Sequence, residues 1–101
     1  MKEKKVLAET KDWSLERQGE EIVFRYVSGF DTVVDGVFSL EDFKGAVSRL
    51  QENGPSLQIH GKSGEILKLR LIEEGKVFVD FITVRGTLLI TLPLEILQIK
   101  E

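Results

Sequence analysis

The sequence has no cysteine and, among 101 residues, one histidine, one methionine and one tryptophan. The missing thiols exclude a disulfide framework, a cysteine nucleophile and any thiolate metal site. A lone His60 leaves a metal centre to be assembled from one imidazole and carboxylates, and no Asp or Glu cluster stands at ligand spacing around it. Ser-His-Asp catalysis would have to use the same histidine, and no serine sits in a G-x-S-x-G elbow. No cofactor is implied. No apolar run approaches the ~18 residues of a membrane-spanning helix. The opening MKEKKVLAETK sets charges on both sides of Val-Leu-Ala instead of the apolar stretch of a signal peptide. The expectation is a cytoplasmic protein without a membrane partner. Positive charge is not in excess either: 14 Lys and Arg against 17 Asp and Glu give a net charge of −3, which disfavours broad electrostatic binding to nucleic acid.

What is present is the composition of a globular chain, 42% apolar and 31% charged, of a length that fits one domain over residues 1–101. Residues 12–17 and 21–27 alternate partly around Gly19 and read as a hairpin. A turn at Gln18-Gly19 sets Leu15 against Ile22 and Trp13 against Phe24. After the turn signal Ser28-Gly29, TVVDGVF at 32–38 reads as a third strand, with Asp35-Gly36 as a bulge or tight turn.

Residues 39–54, SLEDFKGAVSRLQENG, announce a helix. Ser39 is the N-cap, Glu41 and Asp42 suit the positive end of the dipole, and Asn53-Gly54-Pro55 supplies the stop. Leu40, Phe43, Val47 and Leu50 fall on one stripe. Gly45, which costs about 1 kcal/mol in a helix interior, lies off that stripe beside Glu41 and Ser48. Gly45 is either a tolerated cost on an exposed surface or, with Ser48, a candidate helix-contact position where another backbone approaches closely.

Three turn signals set a register for the second half. Lys62-Ser63-Gly64 as a three-residue loop pairs Ile59 with Leu67 and Leu57 with Leu69. Glu73-Glu74-Gly75 pairs Leu71 with Val77, Leu69 with Val79, Arg70 with Phe78 and Lys68 with Asp80. A turn at Arg85-Gly86 continues the ladder, pairing Phe81 with Ile90 and Val79 with Leu92. The result is one aliphatic inner face for the helix stripe to cover. Pro93 opens a last segment, LEILQIK, that fits an edge strand or a helical turn.

Gly61-Lys62-Ser63 resembles the end of a phosphate loop only superficially, because Ser56 stands where the first glycine is needed and a strand, not a helix, follows. Asp31 with Asp35, and Glu73 with Glu74, are turn and loop carboxylates with no pocket to separate their pKa values.

The outer face is the candidate site. It holds Lys68, Arg70, Phe78, Asp80 and Ile82, too apolar to stand exposed and too charged for a core. Either the N-terminal strands fold across it, with Lys68 and Asp80 as an ion pair and Arg70 on Phe78, or a partner covers it. The sequence thus predicts an α+β fold with a largely antiparallel, curved sheet of six to seven strands. The order is three strands, helix, four strands, with one amphipathic helix packed on one face. The expected role is non-catalytic binding of protein, including self-association as a homodimer. Single-stranded nucleic-acid binding on the sheet, disfavoured by the acidic balance, is the alternative. A small enzyme or ligand-binding protein with a pocket near His60 is the third reading.

Overall fold

A computed structural model describes residues 4–27, 32–51, 57–72 and 75–98. The Ser28-Gly29 turn, Asp31, the Asn53-Gly54-Pro55 stop and the Glu73-Glu74 pair lie outside those residues. The described residues are mostly antiparallel β, in two four-stranded sheets with two short helices. The first sheet is a meander of β1 (Lys4–Glu9), β2 (Trp13–Gln18), β3 (Glu21–Val27) and β4 (Val33–Ser39). Helix α1 (Leu40–Gln51) follows. The second meander is β5 (Leu57–His60), β6 (Ile66–Ile72), β7 (Lys76–Thr83) and β8 (Gly86–Pro93), closed by α2 (Leu94–Leu97). Four strands, not three, therefore precede the helix, and eight strands in two sheets replace a single sheet of six or seven.

β1 escapes the sequence reading because KKVLAE does not alternate. It is an edge strand whose register shifts between Val6 and Ala8, and this bulge lets both Leu7 and Ala8 pack against the core. Within that last segment Leu94–Leu97 form a helical turn, with Leu97 buried.

The two sheets face each other across one core cluster. Phe81 of β7 stacks on Phe24 at 4.8 Å between ring centroids, and meets Tyr26 and Phe38 edge-on at 5.7 and 6.1 Å. Gly36 makes room for it: a Cβ there would lie 2.6 Å from the Phe81 Cζ. Asp35-Gly36 is accordingly neither bulge nor turn. β4 runs through it in unbroken register, with Arg25 opposite Asp35 and Phe24 opposite Gly36. Because the first sheet covers the aliphatic face of the second, α1 is not that face's main lid. It seals the β5–β6 side, with its stripe of Leu40, Phe43, Val47 and Leu50 buried and Ala46 added to it. The Ser39 Oγ accepts the Asp42 N–H at 3.3 Å, as the cap predicts.

The predicted β5–β6 and β6–β7 registers match the structure pair for pair. The two tight hairpins differ by one step. Gly19-Glu20 forms the first turn, so Leu15 faces Phe24 and Trp13 faces Tyr26; Val84-Arg85 forms the other, so Phe81 faces Leu88 and Val79 faces Ile90. Each shift moves a partner by two residues, so every side chain keeps its predicted face.

Candidate interaction surfaces

Among the described residues nothing covers the outer face of the β5–β8 sheet. The N-terminal strands lie against the opposite face, so the expectation that they fold across this one is overturned. Phe78 is 37% and Leu89 68% exposed, while Lys68, Asp80 and Ile82 are half-buried. The Arg70 guanidinium carbon sits 4.9 Å from the centre of the Phe78 ring, a cation–π contact made by cross-strand partners. Lys68 and Asp80 face each other across β6 and β7, yet among the described residues no ion pair joins them. The two charges and the Arg70–Phe78 pair border a hollow of about 90 Å³. All five sheet-face candidates thus share one surface, which Leu89 extends on β8 beside Asp80.

The two helix candidates separate. Ser48 is exposed on α1. Gly45 lines a groove of about 510 Å³ between α1 and β5, and a Cβ placed on it would meet nothing within 4 Å. Ala46, Leu57 and Ile59 give the groove apolar lining, and Glu41, Asp42, Arg49, Gln58 and His60 give it polar rims. A concavity beside His60 does exist. Among the described residues, however, no group of three His, Cys, Asp or Glu side chains is placed to hold a metal ion.

Among the described residues two acids are buried, Glu16 and Glu65, and both are answered. Glu16, 5% exposed, accepts from Gln18 Nε2 at 3.0 Å and has Lys4 Nζ at 3.5 Å. Glu65, 7% exposed, accepts the Ser63 N–H at 3.0 Å and tightens the β5–β6 loop. Asp35, by contrast, is exposed, and accepts from Arg25 Nε at 2.7 Å. That hydrogen bond, together with the Asp35 charge, holds the Arg25 guanidinium above its ordinary pKa. A smaller cavity of about 220 Å³ lies between the start of β4, the β5–β6 loop and the Val84-Arg85 turn. Asp35 and Glu65 line it, each already engaged.

Among the described residues no helix is long and apolar enough to cross a membrane. Comparison of the chain with protein-family models, curated proteins and solved structures found no match.

Proposed function

We propose that the protein is a non-catalytic interaction domain that binds a second copy of itself through the outer face of the β5–β8 sheet. The observation that carries this reading is the pairing of unmatched opposite charges with exposed apolar groups on one uncovered face. A two-fold interface brings each residue type against a different position of the same patch, so it needs a patch carrying both signs. Lys68 and Arg70 of one copy would meet Asp80 of the other, around a centre built from Phe78, Ile82 and Leu89. Arg and aromatic groups at the middle of such a patch are the residue types that dominate binding energy.

The face also sets the strength. Strands ~4.8 Å apart, rising ~3.3 Å per residue, give a sheet surface of roughly 20 by 25 Å. That is short of the ~800 Å² per partner in a standard stable interface. The expected product is a reversible, concentration-dependent dimer.

Single-stranded nucleic acid would have to displace Arg70 from the exposed Phe78 ring and accept Asp80 beneath its phosphates, which favours the protein partner.

The test is charge reversal with complementation, read by analytical ultracentrifugation. Asp80→Lys alone and the double change Lys68→Glu with Arg70→Glu should each shift the chain to monomer. An equimolar mixture of the two should recover dimer as a heterodimer. Monomer at every concentration for the parent chain would overturn the proposal. So would dimerisation indifferent to both variants. Binding of an oligothymidylate that weakens with salt and is lost in Lys68→Ala and Arg70→Ala would replace it with the nucleic-acid reading.

A further inference from the structure

The groove between α1 and β5 is distinct from the sheet face, and its backbone chemistry is unusual. In an antiparallel pair, alternate residues direct their N–H and C=O groups toward the partner strand or away from it. Gly61 donates to Glu65 O at 2.7 Å, which identifies the bonded set of β5 as Leu57, Ile59 and Gly61. Gln58, His60 and Lys62 therefore direct their backbone groups away from β6. The last of these is taken: the Lys62 N–H donates to Val37 O of β4 at 3.0 Å. Beyond that point β4 gives way to α1, and the two edges diverge. Gln58 and His60 are left facing the groove, where among the described residues nothing bonds their main-chain groups.

We propose that this groove captures an extended peptide segment of another protein, which adds to the β5 edge as an antiparallel strand. The dimensions agree. Glu41, Gly45 and Arg49 stand at i, i+4 and i+8 on α1, a line ~12 Å long at 1.5 Å per residue. The four residues of β5 extend ~13 Å beside it. Two outward-facing residues offer four main-chain hydrogen bonds, and half-buried Leu57, backed by the buried Ala46 and Ile59, meets alternate side chains.

Gly45 acquires a purpose here. At the middle of the helical wall, the missing side chain keeps the groove open where the inserted strand is closest to α1.

The groove also has polarity. Glu41 and Asp42 lie at its His60 end, near the Lys62 and Val37 junction, and Arg49 lies at the Leu57 end. A strand antiparallel to β5 enters at the acidic end and leaves at the basic one. The complementary segment is therefore basic at its N-terminal end, apolar at alternate central positions and acidic at its C-terminal end. The β5 edge of a second folded copy is a poorer occupant, because it would bring its own α1 into collision with the first.

The experiment uses the full chain and a fluorescein-labelled, acetylated octapeptide, Lys-Lys-Val-Thr-Val-Thr-Glu-Glu, read by anisotropy with amide shifts as the map. Saturable binding that perturbs the Gln58 and His60 amides is expected. The charge-reversed octapeptide should bind at least tenfold more weakly, and a version N-methylated at alternate backbone positions should lose binding. Gly45→Leu, which fills open space and improves helix propensity, should abolish binding while leaving the thermal midpoint at or above that of the parent.

Absence of saturable binding by the parent chain would overturn the proposal. Undiminished binding of the N-methylated peptide, or of the parent peptide by the Gly45→Leu chain, would overturn it as well. Loss of dimer in Gly45→Leu would make the groove a contact between copies and also refute it. Loss of dimer in the Asp80→Lys chain alone tests only the sheet face, so the two readings can fail separately.

Discussion

Two glycines show how differently one residue type can act in this chain. At Gly36 a Cβ would strike the Phe81 ring and come 3.1 Å from Phe38, both wholly buried and unable to retreat. Gly36→Ala is therefore expected to destabilise the fold by about 1–3 kcal/mol, the usual cost of overpacking a filled core. At Gly45 the same substitution meets only open space. There Ala removes the entropic penalty of glycine in a helix interior and should stabilise by several tenths to about 1 kcal/mol. Urea denaturation of the two variants checks both signs at once; a stabilised Gly36→Ala would contradict the close approach. The sequence shows only that a glycine is present. Asp35-Gly36 has the form of a turn signal, because the reason for Gly36 lies far away in the chain. That reason is Phe81, whereas Gly86 answers first to its own backbone, a φ of 147° that favours glycine, with the Tyr26 hydroxyl 2.8 Å from where a Cβ would sit. Long-range crowding leaves no local mark.

Among the elements, those whose apolar period is strong were legible and those held by their neighbours were not. α1 announces its cap, its stripe and its acidic first turn, and all three are found in place. The β5–β6 and β6–β7 ladders follow from alternation, since a slip of one residue would turn leucines outward. The tight turns each missed by one step because either placement keeps the same face inside. In the β7–β8 turn, local chemistry made the choice: the Thr83 hydroxyl accepts the Arg85 N–H at 3.1 Å and donates to Gly86 O at 3.0 Å. α2 is the extreme case. Four residues cannot sustain a helix alone, and this turn holds because Leu97 is buried in the common core while α2 packs on β8 and β1. Leu97→Ala should then cost about 2–5 kcal/mol, as a fully buried leucine does elsewhere. It should also release the β1 edge, so that the β1 amides bonded to β2 lose more protection, relative to the parent chain, than those of β3 in a hydrogen-exchange experiment. Uniform protection would show that β1 is held by β2 alone.

At the scale of the whole molecule, the arrangement of sheets decides which surfaces remain for partners. Among the described residues, using one face of each sheet to bury the other leaves the outer face of β5–β8 with Phe78 and Leu89 in solvent, and a groove remains between β5 and α1. The five sheet-face residues were legible as a set because cross-strand register alone places them together; the absence of any cover was not, because it depends on which way the first meander folds. That absence has a thermodynamic consequence if two copies associate there. A dimer that forms only from folded chains stabilises them by mass action, so the thermal midpoint rises with protein concentration. Leu89 is mostly exposed and not part of the core, so Leu89→Ser should leave the midpoint of dilute protein within the ±0.5 kcal/mol expected of surface substitutions. The same change removes apolar area from the shared face, and the rise in midpoint on going from micromolar to millimolar protein should flatten. Calorimetry of the parent and Leu89→Ser chains across that range separates the two contributions. A parent midpoint independent of concentration would leave the exposed face without a second copy as its occupant. A Leu89→Ser chain destabilised equally at all concentrations would place Leu89 in the fold's own stability.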